Sequence, residues 1–352
     1  MDRILTIIIP AYNMEKYLGR CLSSLIVDEA QLQMFEALVI NDGSKDKTSE
    51  IGHQFEAKYP GTFRVIDKEN GHYGSCINTG LKQALGKYVK ILDADDYYAA
   101  GFSQYLSFLK ETEADLILTN SVSVEENYRI LSITTFPLPP REPVSIRQMN
   151  DCGVVHLDHF NIAWKTEILK RMEYIQTEGI SYTDLEWSTL PASRITSTAY
   201  FPEVVYCYLR GRAGQSVDIG YRKNNMWMED KVVLGIATQY ESIKSVIPPE
   251  NATLLRALAS YLVRQVYFHY LINFPHQLDE GGLATFDRAL FNSCKTLYDS
   301  VSEEKDIRKF GTFHYIRDFR KKGTRKTLKY AIFDAFVAIG SLRKVSDRQR
   351  QD

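Results

Sequence analysis

The sequence predicts an α/β protein built on a mostly parallel sheet flanked by helices, followed by a C-terminal helical region. Through the first hundred residues, apolar runs of strand length alternate with helix-period segments, and turn signals separate them. Beyond about residue 225 the alternation gives way to helical periodicity alone.

Residues 4–9 are an unbroken, largely β-branched run, as a strand buried on both faces requires. Pro10 closes it, and Tyr17, Leu18, Cys21, Leu22 and Leu25 then share one helix face. A second strand over 35–40 ends in Asn41-Asp42-Gly43-Ser44, a strong turn signal. The next helix turns Ile51 and Phe55 inward, and a strand follows over 62–66. Gly71 and Gly74 punctuate the chain before a helix carrying Ile77, Leu81 and Leu85, and 88–92 is another strand. Past Asp96 the pattern is mixed: a strand over 114–119, a proline-rich crossing over 137–143, a helix over 162–172, and an aromatic β run over 200–208. Helices are expected over 226–240, 252–272, 283–298 and 328–342. The domains expected are 1–217, with halves at 1–100 and 101–217, and a helical domain at 218–352.

Of the 352 residues, 44% are hydrophobic and 25% charged, enough to bury a core. A net charge of −1 excludes the strongly basic footprint of a nucleic-acid binder. The five cysteines, Cys21, Cys76, Cys152, Cys207 and Cys294, form no C-x-x-C pair, which fits reduced thiols in a cytoplasmic protein. No apolar stretch reaches the ~18 uncharged residues of a membrane span, and the N-terminal run lacks the marks of a signal peptide.

Asp93, Asp95 and Asp96 directly follow the strand over 88–92. Carboxylates crowded at the C-terminal end of a parallel strand are costly without a cation, and that edge is where open α/β sheets bind ligands. A hard divalent ion, Mn²⁺ or Mg²⁺, would neutralise the cluster and bridge it to a diphosphate. The plainer alternative is an acidic loop capping the next helix. Asp42 lies on the same edge and can accept hydrogen bonds from a base or ribose, while Gly43 allows close backbone approach. Tyr12, after the first strand, can stack on a flat base or sit in the core.

The string IIIPAYNMEKYLGRCLSSL…VINDGSKDKT…KENGHYGSCINTGLKQALGKYVKILDADD resembles glycosyltransferase family 2 over residues 4–100. The resemblance implies a GT-A fold and an inverting transfer from a nucleotide-diphosphate sugar, a UDP-sugar first among them. The acceptor it implies is a hydroxyl of a glycan, lipid-linked or polysaccharide chain. By the same likeness Pro10, Tyr12, Asn13 and Asp42 hold the nucleobase and ribose. Asp93 and Asp95 bind the donor, and Asp95 and Asp96 carry the metal. The segment from Asn70 to Gly80 lacks the commoner arginine, and Lys68 is its substitute. Asp184 falls where the family carries a Glu-Asp pair, which makes it the general base, with Thr183 in place of the glutamate. Glu186 competes for that role or is a first-turn helix acid. In Gly211-Arg212-Ala213-Gly214-Gln215-Ser216, Arg212 neutralises the departing diphosphate or is a surface arginine. Residues 1–100 are then the nucleotide-sugar half and 101–217 the acceptor half.

Arg317, Arg320, Lys321, Lys322, Arg325, Lys326 and Lys329 adjoin Leu328, Ile332, Ala335, Ile339 and Leu342 at helical spacing. This tail either rests on an anionic membrane, at the inner face of the plasma membrane, or packs on the body. It also offers a homodimer surface. His156 and His159 read as structural histidines. A sugar-phosphate nucleotidyltransferase would want a glycine-rich basic loop where Pro10-Ala11-Tyr12-Asn13 stands, and a nicotinamide enzyme would want G-x-G-x-x-G after a strand. A catalytically weak nucleotide-binding subunit partnering another transferase stays open because of Thr183.

Overall fold

A computed structural model describes residues 3–212, 215, 218–308 and 311–337. The chain divides into two compact units, residues 1–259 and 260–352. The helical region expected from 218 is therefore shared, since the Ile219–Ile243 helix belongs to the first unit. Residue 217, where the sequence placed a boundary, lies outside the described residues, as do Ala213, Gly214 and Ser216.

The first unit is built on one ten-stranded sheet. In chain order its strands are β1 (Leu5–Ala11), β2 (Phe35–Asn41), β3 (Phe63–Asp67), β4 (Tyr88–Ile91) and β5 (Tyr97–Tyr98). The others are β6 (Leu116–Val124), β7 (Ile130–Thr134), β8 (Pro143–Ser145), β9 (Ile162–Lys165) and β10 (Ser197–Leu209). Their spatial order is β3-β2-β1-β4-β9-β6-β10-β5, with β7 on β6 and β8 on β10. β1 pairs in parallel with β2 and β4, and β2 with β3. Every residue of β2 is buried, and every residue of β1 except Pro10. The unbroken apolar runs are thus the doubly covered parallel strands that the sequence implies.

Two expectations need correction. Residues 162–172 are not one helix: β9 takes Ile162–Lys165, antiparallel to both β4 and β6, and the helix is Thr166–Arg171. A short apolar run suits strand or helix equally, and here flanking strands on both sides decide. Nor do strands stop near 217, because β11 (Asp306–Arg308) and β12 (Gly311–Phe313) form an antiparallel hairpin in the second unit.

A lysine lies inside the sheet. Lys90 on β4 is fully buried, and its Nζ donates to the carbonyls of Phe160 at 2.6 Å and Ile162 at 3.2 Å. β4 pairs with β9 at Tyr88 and Val89. The ammonium therefore stands one residue past the ladder and fixes the turn that enters β9. Burial pulls the Lys90 pKa down to about 7.

In the second unit, Arg320 donates to Asp287 and Ser302 side chains, the Tyr298 carbonyl and the Tyr267 hydroxyl, all within 2.8 Å. Arg325 donates to the Leu271 carbonyl and pairs with Asp334. Two members of the expected basic collar are thus internal cations, whereas Lys321, Lys322 and Lys326 stay exposed. The tail is helical over 328–337, and its continuation to Leu342 lies outside the described residues. No described helix is long and apolar enough to cross a membrane.

The Lys90 pKa gives a signed prediction. The folded value of about 7 lies below the ordinary 10.5, so between those values the unfolded chain binds more protons. The penalty on the folded state is complete below that window and fades as pH rises through it. Urea unfolding from pH 7 to 10 should show wild type gaining about 2–4 kcal/mol relative to Lys90→Met. A stability difference independent of pH would contradict it.

Candidate active site

β1, β2 and β4 are parallel neighbours, so their C-terminal ends share one edge. Pro10 and Tyr12, Asp42, and Asp93 and Asp95 project from those ends into a cleft of ≈ 660 Å³. Tyr73, Tyr208, Arg212, Gln215 and Tyr221 complete its wall.

Asp42 is buried and accepts from Lys68 Nζ at 2.6 Å and from the Gly71 amide at 2.9 Å. It ties the end of β2 to the start of the His72–Gln83 helix. Tyr12 is 47% exposed, so it is not a core residue, and it borders an adjoining recess with Gly43, Lys45 and Lys68. Asn13 lines neither space. Its φ is +53°, its side-chain oxygen accepts from the Lys45 amide and its own amide donates to Ser44 Oγ. Asn13 thus staples the loops after β1 and β2 to each other.

The carboxylates of Asp93, Asp95 and Asp96 bring oxygens within 4.8 Å of one another. Asp93 accepts from Tyr73 Oη at 2.9 Å and lies 3.0 Å from His159 Nε2. Burial would raise its pKa, but His159, Tyr73 and Arg212 together hold it below the usual carboxylate range. Asp95 pairs with Arg212, yet burial and the Asp93 charge still push its carboxyl up. Asp96 is fully buried, accepting from Tyr206 Oη at 2.6 Å and the Leu209 amide at 2.7 Å. Burial, then the charges of Asp95 and Asp93, raise it well above the ordinary value. Only Asp93 and Asp95 of the three line the cleft. An all-oxygen donor set, with more negative charge than its neighbours balance, fits a hard divalent cation.

Asp184 opens the Asp184–Thr189 helix and is not itself in the cleft wall. Its Oδ2 is 3.5 Å from His159 Nδ1, so His159 stands between Asp93 and Asp184. Burial alone would lower the His159 pKa, and the two carboxylates raise it well above the ordinary value. His156 is 3.3 Å from Asp158 instead. Thr183 is buried and accepts from Gln176 Nε2 at 3.0 Å. Glu186 accepts from the Thr177 amide at 2.7 Å and Oγ1 at 2.6 Å, which commits it to bracing the loop. Asn78 donates to the Gln176 carbonyl and accepts from the Gln176 amide, each at 2.9 Å. The loop before Asp184 is thereby strapped to the same helix that Asp42 anchors.

Sequence reasoning missed Tyr73, Tyr206, Tyr208 and Tyr221, and it read His159 as merely structural. No local pattern marks them, since His159 lies 66 residues from the carboxylate it faces.

The cleft lies at the carboxyl edge of parallel strands, where open α/β sheets bind ligands, and solved structures share this fold. Staphylococcus aureus TarS 1–349 in complex with UDP-GlcNAc superimposes with a TM-score of 0.60 at 19% identity, covering 88% of this chain and 95% of that one. The mannosyltransferase PcManGT from Pyrobaculum calidifontis, in complex with GDP-Man and Mn²⁺, gives 0.52 at 16% identity, covering 96% and 80%. The fold is of the GT-A type. Residues 6–172 match the model for Glycosyl transferase family 2, and the chain carries a domain of that family. A poly(ribitol-phosphate) beta-glucosyltransferase from Bacillus spizizenii is 25% identical over 339 residues, spanning 88% of this chain and 52% of that relative. Relatives of 30–38% identity align over only 13–34% of their own length.

The strap between helix and loop leaves no room at Gly74, where an added Cβ would sit 1.9 Å from the Thr177 carbonyl oxygen. Gly74→Ala is expected to destabilise the protein by about 2–3 kcal/mol, read by thermal unfolding. An unchanged midpoint would contradict the close approach.

Proposed function

We propose that the protein is an inverting glycosyltransferase that takes a sugar from a UDP-sugar and attaches it to a hydroxyl of a glycan polymer, with Mn²⁺ or Mg²⁺ as cofactor. The observation that carries this reading is one cleft holding Asp42, Asp93 and Asp95, with Asp184 one histidine away. In it, Tyr12 stacks on the base above Pro10, Asp42 with Lys68 contacts base and ribose, and Asp93 takes the ribose. Asp95 and Asp96 would hold the cation, while Asn13 shapes the loop. When bound, the cation supplies positive charge to the diphosphate as the sugar bond breaks.

Asp184 accepts the acceptor's hydroxyl proton as that oxygen bonds to the anomeric carbon from the face opposite the diphosphate. The electron pair of the broken bond leaves on the nucleoside diphosphate, where Arg212 adds charge stabilisation. Residues 1–217 hold the donor and acceptor groups, and Tyr221 of the next helix adds to the cleft wall. The UDP-GlcNAc bound by TarS supports the donor class, and the poly(ribitol-phosphate) relative supports a polymer of the cell-surface type as acceptor. Exposed Lys321, Lys322 and Lys326 beside exposed Leu328 and Ile332 support peripheral contact with an anionic membrane.

The test is a panel of nucleotide sugars assayed for released nucleoside diphosphate with Mn²⁺, Mg²⁺ or chelator. Ion-dependent release from one donor is expected, falling about 10²–10³-fold in Asp95→Asn. Pyrophosphate release from a nucleoside triphosphate and sugar phosphate would favour a nucleotidyltransferase instead. Asp184→Asn should lower kcat about 10²–10⁴-fold while leaving nucleotide affinity intact. Unchanged turnover would remove Asp184 from the base role.

A further inference from the structure

The three-residue turn His159–Asn161 is fastened far more firmly than its length requires. Lys90 donates to the carbonyls on either side of Asn161. Asn161 Nδ2 donates to the Thr119 carbonyl at 2.7 Å, and the Phe160 ring stacks between Tyr206 and Tyr208 at 5.1 and 5.2 Å. Buried contacts of this kind fix the rotamer of the one side chain in the turn that faces the carboxylates. That side chain is His159, with Nε2 at 3.0 Å from Asp93 and Nδ1 at 3.5 Å from Asp184.

We propose that His159 is a positioning residue, holding the Asp184 carboxylate in line for the acceptor proton and tying its orientation to the donor-side carboxylate Asp93. The inference rests on Asp184 being the base. A carboxylate in the first turn of a short helix rotates about two bonds, and a base works only when an oxygen points at the proton it removes. The Asp184 carboxylate faces the imidazole of His159, with Oδ2 3.5 Å from Nδ1. The imidazole supplies the missing constraint, as an outer partner orients a ligand or base in many sites. Because its other nitrogen is on Asp93, and Tyr73 donates to the second Asp93 oxygen, a donor seated on Asp93 and a correctly aimed Asp184 share one rigid element.

The two nitrogens can be separated by substitution. A glutamine amide reaches the Nε2 position and an asparagine amide the Nδ1 position. His159→Gln keeps the Asp93 contact, so UDP affinity in Mn²⁺, by calorimetry, should stay within about threefold. Its kcat for UDP-GlcNAc hydrolysis should fall about 10- to 100-fold. His159→Asn keeps the Asp184 contact and should show the reverse split, with kcat within about fivefold and UDP affinity reduced. Thermal unfolding identifies any variant that does not fold, and the other variant then decides. Equal losses of kcat and UDP affinity in a folded variant, or wild-type kcat in His159→Gln, would overturn the proposal. Asp184→Asn, measured alongside, separates the failures. If it turns over at the wild-type rate, the base reading falls and takes this inference with it. If it loses turnover while His159→Gln keeps the wild-type rate, this inference alone falls.

Discussion

Oxygens of Asp93, Asp95 and Asp96 lie within 4.8 Å of one another at the end of β4, two of the residues nearly out of water. Like charges at that distance repel by about 4 kcal/mol per pair at the effective dielectric of a protein surface, and more when buried. The neighbourhood is arranged around that load. Asp96 is satisfied by the Tyr206 hydroxyl and the Leu209 amide, Asp95 by Arg212, and Asp93 by Tyr73 and His159. The partners of the three carboxylates come from separate parts of the chain, so the acidic edge forms only when β4, β10 and the turn before β9 are assembled together.

The cleft's position is fixed by polar anchors rather than by apolar packing alone. Lys90 holds the turn carrying His159, and Asp42 holds the start of the His72–Gln83 helix. Asn78 on that helix then holds the loop before Asp184. Asp42 and the loop before Asp184 are thus tied to the same helix. Small displacements in this framework would reach both sides at once, which is how residues outside the cleft come to matter for chemistry inside it.

Much of this was legible in the sequence. The apolar runs that become β1, β2 and β4 announce strands buried on both faces, and the carboxylates after β4 announce a ligand edge, because both signals are local. β9 was not legible, since three apolar residues and a lysine carry no period and only β4 and β6 on either side make them a strand. The same holds for His159. Its meaning lies in being 3.0 Å from a carboxylate 66 residues away, a relation that only the sheet order creates. Arg320 and Arg325 show the opposite error: a basic run looks like a surface patch until Asp287 and Asp334 are seen facing it.

Calorimetry of UDP binding with Mn²⁺ and with chelator, on wild type and Asp95→Asn, tests the central claim most directly. The charge arrangement predicts that Mn²⁺ strengthens UDP binding at least about tenfold in wild type and far less in the variant. Equal affinity with Mn²⁺ and with chelator, or no UDP binding in either, would contradict an acidic edge built to hold a cation against a diphosphate.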